Sequence, residues 1–287
     1  MRCLRSFTVA TTPSISTLPP PTPQRVYRAA RDITVTLIVI GLLVWSWHGT
    51  ETSFVRLRDS GPALLEFLDR MWPPDLTWTP TERRPFEPPL RLAAKTIAVT
   101  LQISLLGTAL ATAAALALGF LAAENLTPHW VHHPLKVLLA LLRSVPILLL
   151  ALLFCGALGL GPFPGVLAVA IHSIGMLGKL FAEECETVEP GVWEALDSAG
   201  ANWLQKVRYA IWPQVAAQFW SLTLFRLDMN VRESAVLGLV GVGTLGFWID
   251  NYRRAFDYPS VATMVIVTMI VVLVVDQISV QIRRRLK

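Results

Sequence analysis

Long apolar runs alternate with short polar breaks along this chain, and their spacing predicts helices that cross a membrane. The first run, residues 33–47, covers roughly 22 Å as a helix. Residues 26–32, whose arginines can snorkel, extend it into a first span over 26–48. Residues 92–123, rich in Ala, Leu and Thr, predict a second span long enough to tilt. On it Gly107 with Ala111, and Ala115 with Gly119, form small-xxx-small pairs that admit a close neighbour helix. Residues 135–160 are apolar except for Arg143 and Ser144, and Pro146 breaks them into an interfacial helix and a third span. A turn is expected over residues 159–165, where Gly and Pro cluster. Fourth, fifth and sixth spans are expected over 166–181, 211–238 and 261–275. The region around Arg143 leaves the count open between five and seven.

Between the fourth and fifth spans lies a polar stretch, residues 184–210, that must face water. Val192, Leu196, Ala199 and Trp203 fall on one helical face, with Glu194, Asp197 and Ser198 off it. Pro190 suits a first helical turn. Gly200 in mid-helix costs about 1 kcal/mol against Ala, so it is read as a left-handed C-cap. Asn202 with Gln205 then reads as a capping box that starts a second helix. The expected product is a rigid knob of two short helices joined at a glycine elbow.

The chain has 287 residues, of which 53% are hydrophobic and 16% charged, against about 25% charged in soluble domains. That surplus needs a lipid bilayer as solvent. The net charge of +5 is explained by the orientation rule for membrane proteins, and nucleic acid is not expected as a partner. Six spans put both basic termini and the Lys206/Arg208 flank on one side, which the positive-inside rule assigns to the cytoplasm. Residues 1–25, rich in Thr, Ser and Pro, are expected to be a disordered cytoplasmic N-terminus with no cleaved signal. Residues 49–91, with six arginines against seven acids, are expected to be an external loop carrying a surface helix over 63–72. Residues 283–287 form a basic tail. Cys3, Cys155 and Cys185 show no metal spacing and are expected as free thiols.

Chemistry-bearing residues are few. The nearest approach to a phosphate-binding loop, residues 173–179, lacks its first Gly and the Ser/Thr after Lys179. Any ATPase that drives this chain is therefore a separate protein, and no catalytic residue is assigned. His129, His132 and His133 have no carboxylate or cysteine at ligand spacing, so no metal is expected. The fifth span carries Arg226, Asp228, Asn230, Arg232 and Glu233. Charges inside a span generally face the bundle interior or a watery cavity. Asp228 and Arg232 are placed to neutralise one another, and Arg226 shares a stripe with Asn230. Two readings are open: a translocation pathway or gate offering cations to an anion, or an ion-pair network that fixes helix packing. Arg143, His172 and Lys179 are further candidates for the same cavity.

The knob resembles the cytoplasmic coupling loop of ABC importer permeases. That pattern runs Glu-Ala-Ala, then Gly, then Ile-x-Leu-Pro; here Glu194, Ala195, Gly200 and Pro213 match, while Leu196, Ala210 and Trp212 replace the other members. Further stretches are similar to the permeases of phosphonate importers: Arg226-x-Asp228-x-Asn230-x-Arg232, Val240-Gly241-x-Gly243, Gly159-Leu160-Gly161-Pro162-Phe163 and Ala123-Glu124-Asn125-Leu126. The family usually has Glu where Asp228 stands and a small residue at Glu233, an extra acid that offsets one arginine.

The resemblance implies an all-α polytopic membrane protein of about six transmembrane helices with the type I ABC importer permease fold, its core over 92–282. It implies a homodimer in the bacterial inner membrane, two ABC ATPase subunits that hydrolyse ATP with Mg, and an extracytoplasmic phosphonate-binding protein. Glu194, Ala195, Gly200 and Pro213 would receive force from the ATPase. Arg226, Asp228, Asn230, Arg232, Gly241 and Gly243 would form the pathway or gate for a phosphonate, phosphite or hypophosphite. Two rivals come from other classes. An ion-coupled carrier working without ATP would use the charged fifth span, and an integral-membrane enzyme would need an acid/base set that only Glu124 and the three histidines approach.

Overall fold

A computed structural model describes residues 23–50, 53–78 and 87–286. The chain divides into two units, Met1–Leu65 and Glu66–Lys287. The first contains α1, Pro23–Gly49, whose apolar side chains such as Leu37 and Leu43 are exposed, as lipid-facing residues are. Expectations for residues 1–22, Cys3 among them, lie outside the described residues; Pro23 already belongs to α1, so the helix starts earlier than expected. Helix α2, Phe54–Met71, is longer than the surface helix expected over 63–72, because it runs through Pro62 on an exposed face.

The second unit is built around α3, Pro89–Ala122, packed on α6, Pro162–Glu186. The small residues explain the closeness. Ala111 and Ala115 are fully buried, a Cβ on Gly107 would stand 2.5 Å from Val169 Cγ1, and one on Gly119 would stand 2.8 Å from Phe181 Cβ. Along α3 the hydroxyls of Thr96, Thr100, Ser104, Thr108 and Thr112 each donate to the carbonyl four residues back, at 2.6–2.9 Å. That ladder satisfies polar groups that lipid cannot.

The third apolar run is broken as Pro146 predicts. Helix α4, His129–Ser144, and α5, Ile147–Leu158, meet at 82°. Helix α4 crosses α6 at Gly175, where a Cβ would lie 2.6 Å from the Arg143 nitrogen and 2.8 Å from the Leu139 carbonyl oxygen. Backbone cannot yield as a side-chain tip can. Gly175→Ala is therefore expected to cost about 1–3 kcal/mol by overpacking, read as a lower melting temperature of the detergent-purified protein.

The turn expected over 159–165 is shorter. Gly159 and Gly161 carry positive φ (+90° and +144°), but Pro162 already opens α6, where its missing N–H costs nothing. The elements that follow are α7, Pro190–Ser198; α8, Trp203–Lys206; α9, Trp212–Leu237; α10, Leu245–Arg254; and α11, Tyr258–Leu286. Among the described residues four helices are long and apolar enough to cross a membrane, and up to six spans result if each bent pair counts as one. No strand occurs among them. Residues beyond α2 are tied to this unit: Thr263 Oγ1 donates to the Asp75 carbonyl at 2.6 Å and Tyr252 Oη to the Glu87 carbonyl at 2.7 Å.

Candidate functional site

The glycine elbow forms from local hydrogen bonds. Gly200 takes φ +77°. Its N–H donates to the Asp197 carbonyl at 2.9 Å, and the Ala201 N–H donates to the Leu196 carbonyl at 3.0 Å, a Schellman closure of α7. Asn202 then accepts from the Gln205 N–H at 2.9 Å while Gln205 Oε1 accepts from the Asn202 N–H at 2.8 Å, the expected capping box. An ion pair between Asp197 and Lys206 braces the two arms. Glu194 and Ala195 are exposed on the outer side of α7.

Two details of the elbow differ from the sequence reading. The inward face of α7 is Trp193 and Leu196, packed against Cys185, Val188, Ala210 and Val215. Val192 and Trp203 stay exposed at 41% and 39%. The expected stripe fails because α7 ends at Ser198, so helical spacing does not carry across Gly200. The second arm is also not a separate short helix. A π-helical turn, Val207–Ile211, joins α8 directly to α9, with the Trp212 N–H bonded to the Val207 carbonyl. Pro213 follows in the second position of α9 and has no N–H to give. The rod over residues 203–240 measures about 57 Å.

Beside the elbow, Lys136 bridges Glu124 and Glu186 at 2.7 Å each, and Asn125 Nδ2 donates to the Cys185 carbonyl at 2.8 Å. The hydrogen bond from Lys136, aided by its charge, holds the Glu124 carboxyl below the usual carboxylate range. His129 and His132 bond one another at 3.2 Å, and His132 donates to the Thr127 carbonyl. Among the described residues no group of side chains is arranged to hold a metal. Cys155 and Cys185 are free and buried.

Higher on α9 lies a polar network that joins three helices. Arg226, only 2% exposed, donates from Nε to Ser173 Oγ at 2.9 Å and from Nη2 to Glu233 Oε2 at 2.9 Å. Ser173 Oγ donates to Asn230 Oδ1 at 3.1 Å, and Asn230 Nδ2 donates to Thr108 Oγ1 at 2.7 Å. Ser104 Oγ reaches Ser234 Oγ at 3.0 Å. Helices α3, α6 and α9 are thereby stitched through their middles. The residue pattern did not reveal Glu233 as the partner of Arg226, nor that Thr108, Ser173 and Ser234 join the network. The four-residue spacing of hydroxyls from Thr96 to Thr112 was the available signal.

Asp228 and Arg232 do pair, at 3.2 Å. Asp228 is buried, with Oδ1 lacking a hydrogen-bond partner among the described residues, while the Arg232 side chain is half exposed. The remaining candidates do not converge. His172 bonds the Val145 carbonyl at 3.1 Å beside the α4–α5 break. Arg143 is exposed on α4 near that break, and Lys179 pairs with Glu183 at 3.5 Å on the second half of α6. Gly241 and Gly243 carry positive φ (+91° and +83°) in the loop that follows a 3-10 turn at Gly238–Val240. The Gly241 carbonyl accepts from the Gly161 N–H at 3.2 Å, so two glycine turns meet there.

Between α3 and α9 an apolar crevice of about 550 Å³ opens, lined among others by Leu105, Thr108, Thr112, Trp220 and Thr223. Each of its three threonine hydroxyls already donates to the carbonyl four residues back. Its wall thus offers an anion no free hydroxyl donor from these threonines.

Comparison with known proteins agrees with this architecture. Residues 115–287 match the family described as binding-protein-dependent transport system inner membrane component. A phosphite transport system permease protein of Stutzerimonas stutzeri is 35% identical over 259 residues, covering 90% of this chain and 90% of the relative. A phosphate-import permease protein of Mycolicibacterium smegmatis is 38% identical over 229 residues, covering 79% of this chain; the match spans only 41% of that relative's length. Among solved structures, a chain of the MetNI methionine ABC transporter in an inward-facing conformation matches with TM-score 0.63 at 18% identity, over 70% of this chain and 99% of that one. A chain of a bacterial alginate ABC importer matches with TM-score 0.56 at 13% identity, over 90% and 99%.

Proposed function

This chain belongs to the family of binding-protein-dependent transport system inner membrane components, and from that premise we propose that it is the permease of an importer for phosphonates or related phosphorus oxyanions such as phosphite. It is a multi-pass membrane protein with the type I ABC importer permease fold. In the proposed assembly two copies of the chain form the pathway, two ATPase subunits hydrolyse ATP with Mg, and an external binding protein delivers substrate. This chain itself carries no cofactor and performs no catalysis. Both termini and the elbow face the cytoplasm.

The observation that carries this reading is the continuity of the elbow with α9. Glu194 and Ala195 present an exposed face, the Schellman closure and capping box make the elbow rigid, and the π turn passes it without a break into the helix that bears Arg226 to Arg232. A push on α7 is therefore delivered to α9 as a rigid-body displacement, and α9 leads to the Gly241 and Gly243 turn. Half-exposed Arg232 is the cation proposed to meet the anion, since Arg226 is committed to Glu233 and Ser173. A second copy is invoked because the Arg232 side chain stays half exposed on α9, and a cation inside a span needs a bundle interior or watery cavity, which a partner copy would enclose.

The experiment is uptake into proteoliposomes that hold this chain, its ATPase and its binding protein, with labelled methylphosphonate and phosphite. Accumulation should require ATP and the ATPase, and an Ala195→Cys variant should crosslink to the ATPase. Uptake that persists without the ATPase and collapses with the proton gradient would instead establish the ion-coupled carrier.

A further inference from the structure

At the end of α11 opposite the glycine turns, a recess of about 270 Å³ lies between α9 and α11, lined by Ser221, Val280, Arg283 and Arg284. Arg283 is aimed by two contacts: its guanidinium lies 5.8 Å from the Phe225 ring centroid, and its Nε donates to the Ser279 carbonyl at 3.3 Å. Its two terminal nitrogens keep their donors. Arg284 and the Ser221 hydroxyl have no hydrogen bond or ion pair among the described residues. On α10, by contrast, Arg253 and Arg254 are both paired with Asp250. Here two guanidiniums share one recess without a carboxylate in contact. On the recess side of the same helix Ile266, Met269 and Leu273, on the turns that precede Val280, are exposed at 39–59%, a face that in a bilayer meets acyl chains.

We propose that this recess binds the phosphate of an anionic phospholipid. Arg283, Arg284 and Ser221 Oγ act as donors to the phosphate, and the exposed apolar face of α11 is the bed for the acyl chains. Charge selects the class, because two uncompensated cations in a recess at a helix end favour a phosphate monoanion over a zwitterion. The adjoining apolar face selects the source. A free phosphate or phosphonate gains nothing from Ile266, Met269 and Leu273, whereas a lipid buries its chains there. The inference rests on the membrane location of the chain alone and stands apart from what the importer carries. A lipid wedged between the basic end of α11 and Phe225 would brace α9 from the side opposite the crevice.

The test uses the full chain purified in detergent, offered equal amounts of phosphatidylglycerol and phosphatidylcholine, with retained lipid counted by native mass spectrometry. Each guanidinium is expected to contribute about fivefold. The preference for phosphatidylglycerol should fall about 25-fold in Arg283→Gln/Arg284→Gln and about fivefold in Arg284→Gln, which breaks no bond within the protein. Arg285→Gln, outside the recess, should leave it within about twofold. Equal retention of the two lipids by the unmodified chain overturns the proposal. So does a loss in Arg285→Gln as large as in Arg284→Gln, which would mean diffuse charge. Displacement of phosphatidylglycerol by millimolar methylphosphonate would assign the recess to a free oxyanion instead, and also overturns it.

Discussion

Gly200→Val is expected to lower ATP-driven uptake more than tenfold, by the order-of-magnitude cost of a β-branched residue in the left-handed region, while the protein still reaches the membrane in normal amount. The position is exposed, and a Cβ there would meet nothing within 4 Å. Crowding is therefore not the cause. At φ +77° an L-residue pays about 1–2 kcal/mol, and a β-branched one more. The elbow has few ways to absorb that. Both closing hydrogen bonds, from Gly200 and Ala201 to Asp197 and Leu196, depend on the left-handed residue. Relaxing it to a right-handed conformation would swing α7 away from the capping box at Asn202. Trp193 and Leu196 would leave their apolar seat, and α7 would no longer push α9 as one body. Gly200→Asn, which tolerates this conformation, should keep most of the uptake. Reconstituted uptake by the two variants checks the idea; a Val variant that transports normally sinks the coupling role of the elbow.

Arg226→Ala should destabilise the protein by about 3 kcal/mol, the low end for removing one partner of a buried ion pair, because Glu233 is 25% exposed and partly relieved by solvent. The loss falls on more than one contact. Ser173 Oγ loses a donor, and the hydrogen-bonded path from α6 to Asn230 and Thr108 is loosened. The melting temperature of the purified chain should drop by several degrees. Arg226→Met/Glu233→Leu removes the charge and its partner together and should regain much of that stability. The double variant also separates the two roles a cation in a span can have. Recovered stability with normal uptake identifies Arg226 as a packing residue; recovered stability with abolished uptake puts it in the pathway. An Arg226→Ala variant that melts like the unmodified protein contradicts the network.

What the amino-acid order settled alone is what a single helix or turn decides within four or five residues. The apolar runs, the Pro146 break, the left-handed Gly200 and the Asn202/Gln205 box all depend on groups close along the chain, where backbone geometry fixes who meets whom. The Asp228–Arg232 pair belongs to the same class, as neighbours one turn apart. The motif resemblance, too, is a property of local order, and it led to the family. Extrapolation failed where an element ended sooner or later than its pattern suggested. Helical spacing from Val192 to Trp203 ignored the stop at Ser198, and the Gly/Pro cluster over 159–165 hid the start of α6 at Pro162.

Tertiary structure decided which partners the buried polar groups take. Glu233 is two turns from Arg226, and Ser173 and Thr108 are 53 and 118 residues away from it along the chain. Whether those side chains meet depends on how far α3, α6 and α9 are rotated about their own axes. That rotation is set by Gly107, Ala111, Ala115 and Gly119, which bring α3 against Val169 and Phe181. It was decided as well that the elbow and α9 form one rod, because Pro213 removes one N–H and a π turn absorbs the loss. The chain order specifies its helices through short-range geometry; the pairing of charges between them follows from close packing, which only the assembled bundle defines.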